Sequence, residues 1–483
     1  MPVNKDHSQT SIHPQEILPL QPLEQNKRVD ALDILRGICL VGILLMNIEW
    51  FSRSMVSLGS HDTTLTGIDH AVGWLIRCFV EGKFYKLFAL IFGMGFAVML
   101  LRAKEHDRPF SAWFCRRMLV LLVIGIAHMI FIWGGDILHA YALAGFFLLF
   151  LVRKKKSQEP ESYLKLAINW LMIPIFLISL VGIIFGTLLN HEKSQEMWQN
   201  ELDIYAAVNQ ALSDETQVNT APEITEQSVL ETTDDSIDLA ITEEEYRATI
   251  IADAIQDKRE LQAEIAEEDK AFTEGSYWEA TQYRISFAGF MLILSPFMSF
   301  FVLIPIFILG FWLVITQKIT HHQQHKTFFR TLATIGLFAG LPLNIASILI
   351  IEHPAIEASI ALLCVGQMLF YISQYILAAG YLGLIICALN KKKWQKLLSA
   401  FAPMGQMALT NYLMHSVILT SIFYGYAGGQ YGEISRAPQI LIVFSIITGQ
   451  LIVSKWWLSR YRFGPMEWLW RSLTYKKVQQ MEL

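Results

Sequence analysis

The sequence predicts an all-α protein: a polytopic transmembrane helical bundle of about ten spans with an acidic extracytoplasmic insertion. Three observations carry that expectation. Apolar runs about as long as a bilayer crossing recur along the chain. Of 483 residues, 53% are hydrophobic and only 17% charged, well under the usual quarter. Basic residues collect in alternate loops, as cytoplasmic loops of membrane proteins do. The same pattern excludes other classes. An outer-membrane barrel needs ten-residue segments of alternating polarity, and this chain has none. Nucleic-acid binding is disfavoured, because the bases sit in short loops without interleaved aromatics.

Residues 1–28 are polar, carry Pro14, Pro19 and Pro22 and lack a secretory signal, which predicts a disordered cytoplasmic tail. Residues 29–190 are expected to hold membrane helices 1–5. The chain is organised around the first, residues 32–51, inside which ride Asp33, Arg36 and Asn47. Asp33 and Arg36 are three apart and share a face. Either they form a helix-end ion pair, or Arg36 faces a cytoplasmic cavity and holds an anion. Residues 69–80 are an amphipathic or re-entrant approach to span 2 at 84–101, where Gly93 and Gly95 permit close helix contact. Lys83 and Lys86 either hold an anion or snorkel. A basic loop leads to span 3 at 118–133, which carries His128. The turn GGDILHAY joins it to span 4 at 137–152, and span 5 follows at 166–189.

Residues 191–280 hold 24 acids and 5 bases, while the remainder has 33 bases and 19 acids. The acidic segment is therefore expected outside the cell: loose at first, helical from Thr242, and dispensable for folding. Residues 281–458 supply helices 6–10. Residues 283–316 are too long for one upright span and divide near Pro296 and Pro305, with the crossing at 298–315. His321, His322 and His325 form a solvated loop, with no fourth ligand for a metal. Further spans fall at 332–351, within 360–389, at 404–423 and at 440–458, and residues 459–483 form a second cytoplasmic tail. With the N terminus inside, every inner loop is basic and the outer ones are nearly free of bases. This predicts a multi-pass protein of a bacterial cytoplasmic (inner) membrane with both termini cytoplasmic. The five cysteines lack metal spacing and read as packing residues.

Several stretches resemble a known family: VDALDILRGICLVGILLMNI, GKFYKLFALIFGMGF, RRMLVLLVIGIAHMIFIWGGDILHAYALAG, GQMALTNYLMHSVILTSIFYG and FGPMEWLWRSLTY. In this order they are similar to the bacterial YeiB family, whose C-terminal part is the domain DUF418. The resemblance covers nearly the whole chain except the long acidic segment. More distantly it extends to transmembrane acyltransferases typified by the lysosomal heparan-glucosaminide N-acetyltransferase. That likeness implies acyl transfer from a cytosolic acyl-CoA to an acceptor across the membrane. It also implies a histidine soon after span 1, by position His61.

Three residue groups carry the candidate chemistry. His128 is either a hydrogen-bonding strut between helices or a proton-transfer base, since imidazole titrates near neutrality. Asp136 either caps span 4 or orients His128 or His139, with His139 itself expected at the interface. Asn411, Tyr412 and His415 either bond between helices or share a pocket with His128; Asn47, Trp133 and Tyr141 complete that candidate pocket. No glycine-rich phosphate loop exists, so a coenzyme A would rest on Arg36, Lys83, Arg117 and Arg471 as separate charges. Glu467, Trp468 and Trp470 read as an interfacial anchor or a lid. Transfer of an acyl group is the first reading, with His128, Asp136 and His61 as catalytic candidates and acetyl-CoA or another acyl-CoA as co-substrate. No covalently bound cofactor and no metal is expected. The alternatives are a small-solute transporter and a non-catalytic envelope or partner-binding protein. The expected partners are the lipid bilayer and a small-molecule or envelope acceptor, with a homo-oligomer left open.

Overall fold

A computed structural model of the chain describes residues 30–55, 65–155, 159–188, 243–353 and 360–483. The N-terminal tail, His61, Thr242 and the first part of the acidic segment lie outside the described residues. The first half of the described chain forms α1 (Asp30–Ser52), α2 (Gly67–Phe79), α3 (Phe84–Glu105), α4 (Ser111–Phe131), α5 (Leu138–Lys154) and α6 (Pro160–Leu188). The second forms α7 (Glu243–Thr273), α8 (Tyr277–Met298), α9 (Ile304–Ile315), α10 (Lys326–Ile335), α11 (Leu341–Ile351) and α12 (Ile360–Leu389). It closes with α13 (Lys392–Leu398), α14 (Ala402–Gln406), α15 (Ala408–Phe423), α16 (Arg436–Leu458) and α17 (Pro465–Tyr475).

Among the described residues, eight helical stretches are long and apolar enough to cross a bilayer: α1, α2 with α3, α4, α6, α8 with α9, α10 with α11, α12 and α16. The chain is an all-α, multi-pass membrane bundle. The two further spans counted from the sequence correspond to α5, of 17 residues, and α15, of 16. At 1.5 Å per residue these reach only ~24–26 Å, just short of a hydrocarbon core of ~30 Å.

Local chemistry explains the breaks. A turn of π-helix at Ser299–Leu303, just after Pro296, divides α8 from α9, which splits the long apolar run where its prolines fall. A second at Gly336–Gly340 divides α10 from α11. Gly82, with φ +75°, turns the chain between α2 and α3, and a Cβ there would run into the Gln374 side chain. The core lies where α1, α3, α5 and α9 meet. Gly93 and Gly310 let the α3 and α9 backbones touch, and Phe92 stacks on Phe307 with ring centroids 4.7 Å apart.

The end of the acidic segment corrects the sequence expectation. Glu268, Phe272 and Ala280 are buried. Glu268 accepts from the Ser54 hydroxyl and from the Met55 amide, the latter at 2.9 Å. Phe272 stacks on Tyr424 at 4.5 Å, and its carbonyl accepts from the Gly425 amide at 2.7 Å. Charge density hid this, because Glu268 and Phe272 sit in an acidic run that reads as a solvated surface. Phe272→Ala should lower stability by on the order of 3–5 kcal/mol. Thermal melting in detergent that matches the wild type would refute this packing role.

Candidate functional site

The face at which α1 begins is called near, and the opposite face far. Gly37 and Gly405 seat α1 against the backbone around Phe401 and α14 on the near face; a side chain at either would collide with main chain. On the far face Phe51 stacks on Trp133 at 4.1 Å, and Glu49 pairs with Arg436 at 3.1 Å. Between the faces lies a cavity of about 720 Å³. Its lining follows α1 from Asp33 to Trp50, a run of ~25 Å at 1.5 Å per residue. Polar groups sit at its two ends, and the middle is walled by Leu40, Ile43, Phe88, Phe92 and Leu121.

The near end is cationic. Arg36, Arg117 and Arg471 all line it. Arg36 pairs with Asp33 at 2.7 Å, so the ion-pair and cavity readings both apply to it. Arg117 lies over the Trp470 ring, 3.6 Å from its centroid, and its Nε is buried without a partner among the described residues. The Trp470 indole donates to the Arg117 carbonyl at 2.8 Å, which fixes α17 across the start of α4.

Glu467, offered by the sequence as part of an interfacial anchor or a lid, belongs to the cavity wall. It is buried, and accepts from the Leu409 amide at 2.6 Å, the Thr410 amide at 3.1 Å and the Thr410 hydroxyl at 2.6 Å. It thereby caps the α15 N-terminus from another helix, and it anchors α17 in the protein rather than at the lipid interface. Burial raises its carboxyl above the ordinary glutamate value, against hydrogen bonds that favour the charged form. A carboxyl raised on folding stabilises the fold most at acid pH. That contribution is lost as pH rises from its ordinary value of 4.5 through the raised one. The melting difference between wild type and Glu467→Gln should therefore change with pH only across that window. Parallel curves from acid to neutral pH would show that the carboxyl titrates normally.

At the far half, Asp136 joins two histidines. Its carboxylate receives His128 Nδ1 at 2.9 Å, His139 Nδ1 at 2.9 Å and the His139 amide at 3.0 Å. The capping and orienting roles are thus combined. Burial opposes ionisation of Asp136, but the two histidine contacts outweigh it and hold the carboxyl below its usual range. An ionised carboxylate only accepts, so both imidazoles carry hydrogen on Nδ1. In the neutral imidazole His128 Nε2 is then an acceptor; it is buried and without a partner among the described residues. His139 is also buried, which corrects its interfacial placement; the turn Gly134–Gly135 folds it inward where a sequence pattern reads outward.

The remaining candidates separate. Asn47 and Tyr141 line the cavity. His128 and Asp136 lie behind its wall, which Gly135, Ile137 and Tyr412 form; the Tyr412 and His128 rings are 5.5 Å apart. The expectation that Arg36, His128 and Asp136 line one cavity is corrected to that extent. Trp133 is buried in its stack with Phe51, outside the lining. Asn411 and His415 face α16, bonding Ser454 at 3.0 Å and Gln450 at 2.7 Å, so they tie helices together rather than share a pocket with His128. Lys83 is not at the arginine end: it is buried in the far half and donates to the Arg77 carbonyl at 2.7 Å. Lys86 is buried between the Tyr85 and Tyr375 rings and bonds Gln374, so neither lysine snorkels. No group of histidine, cysteine and carboxylate with metal-site geometry occurs among the described residues.

Fold and cavity together define a multi-pass membrane protein with an arginine-ended internal chamber. Residues 313–477 match the family model described as "Protein of unknown function (DUF418)". The chain is 28% identical over 478 residues to "Uncharacterized protein YxaH" of Bacillus subtilis (strain 168), covering 95% of this chain and 97% of that protein. It is 26% identical over 447 residues to "Uncharacterized protein YeiB" of Escherichia coli (strain K12), covering 92% and 95%. It is also 22% identical over 463 residues to "Uncharacterized 39.9 kDa protein in amylase 3'region" of Bacillus acidopullulyticus, covering 95% and 97%. The chain is thus similar over nearly its whole length to these three uncharacterized proteins, and its residues 313–477 resemble the DUF418 model. No solved structure matches it.

Proposed function

We propose that the protein is a transmembrane acyltransferase that moves an acyl group from a cytosolic acyl-CoA to an extracytoplasmic acceptor. The observation that carries this reading is the cavity itself, with three guanidiniums at one end and the His128–Asp136 pair behind its opposite half. Arginine suits phosphate because its planar fork donates two parallel hydrogen bonds. Phosphates of the donor rest on Arg36, Arg117 and Arg471, and the thioester arm extends along the apolar middle toward Tyr141.

The chemistry balances without a further reagent. An acceptor hydroxyl or amine gives its proton to His128 Nε2 as its oxygen or nitrogen bonds the thioester carbonyl carbon. The carbon–sulfur bond then breaks, and the departing thiolate takes that proton from the His128 imidazolium to leave as free thiol. Asp136 holds the imidazole in the tautomer with Nε2 bare and stabilises the imidazolium that forms. The Tyr412 ring must turn aside for Nε2 to reach the cavity.

Calorimetry with acyl-CoA, followed by release of free thiol, tests the reading. No acyl-CoA binding to well-folded protein at millimolar ligand would sink it. A small-solute transporter is the second reading, favoured by the cavity's run along the whole of α1. Solute flux in vesicles without thiol release would select it.

The sidedness follows the positive-inside charge pattern, with the near face cytoplasmic. On a cysteine-free background, an impermeant maleimide added from outside should label Ser213→Cys and spare Ser8→Cys. The reverse result would invert donor and acceptor sides.

A further inference from the structure

Two cavity residues are themselves exposed: Met298, at 36%, and Tyr371, at 50%. Every other lining residue is buried or half-buried. Both lie within membrane-length helices, away from the loops. Met298 ends α8 immediately before the π-helical turn, where Phe297, Phe300 and Phe301 are also exposed. Tyr371 lies in the second quarter of α12. The first turns of α3 stand between them: Phe84 packs on Tyr381 of α12, with ring centroids 5.5 Å apart, and Phe88 packs on Tyr141 of α5 at 6.0 Å. The π turn is tied to the same place, since the Ser299 hydroxyl donates to the Ala140 carbonyl at 3.0 Å.

From this geometry we infer a lateral opening of the cavity into the bilayer at the first turns of α3, rimmed by Met298 on one side and Tyr371 on the other, that admits an amphipathic lipid carrying a hydroxyl or amine on its head. The rim is apolar and aromatic, continuous with the lipid-facing surface, so a hydrated solute has no path across it. Inside the rim the surroundings turn polar. Gln367 and Gln374 line the cavity on the same helix as Tyr371, four residues before it and three after, hence on its face. Their amides, with Arg77 and Glu81 on the same wall, offer both donors and acceptors to a head group. The acyl chains stay in the bilayer while the head enters. That the lipid is the acyl acceptor rests on the acyl-transfer reading; the opening itself does not.

The test uses the full chain in nanodiscs of phosphatidylethanolamine doped with an analogue bearing a photoreactive group at the head. After illumination, adducts are mapped by mass spectrometry. Adducts are expected on cavity residues such as Phe88 and Tyr141. Met298→Trp, which fills the rim from a surface position, should lower their yield several-fold. Wild-type adducts confined to the exterior positions Phe297 and Phe301 would overturn the opening whatever the variant does. So would equal internal labelling in wild type and a folded Met298→Trp. Internal adducts in a protein that binds no acyl-CoA would keep the opening and discard the transferase.

Discussion

His128→Ala leaves acyl-CoA affinity near that of wild type and removes acyl turnover. A positioned general base typically contributes ~10²–10⁴-fold, and a loss of that size in thiol release is expected. The reasoning is geometric. His128 makes no contact with the arginine end, so donor binding does not depend on it. Its Nε2 is buried without a partner among the described residues, and Asp136 holds the opposite ring nitrogen. A purely structural role predicts something else: His128→Ala would strand a buried Asp136 carboxylate with one histidine fewer, lowering the melting temperature with turnover following the folded fraction. His128→Gln separates the two, since an amide can still donate to Asp136 but cannot serve as the base. Full turnover per folded molecule in both variants would discard His128. His61→Ala belongs in the same experiment, because the distant acyltransferase resemblance points to that position; loss of turnover there alone would move the base to the loop after α1.

Arg36→Ala weakens acyl-CoA binding. A charge-assisted hydrogen bond contributes ~1.5–3 kcal/mol, and each 1.4 kcal/mol is tenfold, so a loss of roughly 10- to 100-fold is expected. The substitution also leaves the Asp33 carboxylate facing the site without its guanidinium, which adds repulsion toward an anion. Arg36→Lys should recover only part of the loss, because an ammonium keeps the charge without the two-pronged geometry. Lys83→Ala is the internal control. Lys83 lies in the far half on the Arg77 carbonyl, so it should change stability more than affinity. Equal affinity in wild type and Arg36→Ala would remove the arginine cluster as the donor site.

The fold class and much of the helix order were legible in the chain. Hydropathy periodicity is local, and a bilayer accepts only helices whose backbone bonds are made within the segment, so apolar length alone predicts them. The Asp33–Arg36 pair was legible for the same reason: both partners lie one helical turn apart on one helix. The Ser276–Glu279 capping box at the start of α8 is equally local, both partners lying within one helical turn. Pairings across helices were not legible. Lys83, Arg36, Arg117 and Arg471 look alike in sequence, each a base beside an apolar run, and only packing sends three to one end of a cavity and the fourth to the other half. Asn411 and Tyr412 are adjacent in sequence, yet one ties α15 to Ser454 and the other walls the cavity.

The sequence by itself determined that this is a multi-pass helical membrane protein, roughly where its apolar helices lie, and which few ionisable residues the bundle must accommodate. The cost of burying a polar or charged group in hydrocarbon makes such residues stand out one at a time. The tertiary structure decided what each of them meets. It made Glu467 the cap of a helix 57 residues before it, it closed Asp136 onto two histidines, and it brought Glu268 of the acidic segment to Ser54 and Met55. Buried polar groups must find partners, but the partner is selected by distance in space, which the order of residues along the chain does not specify.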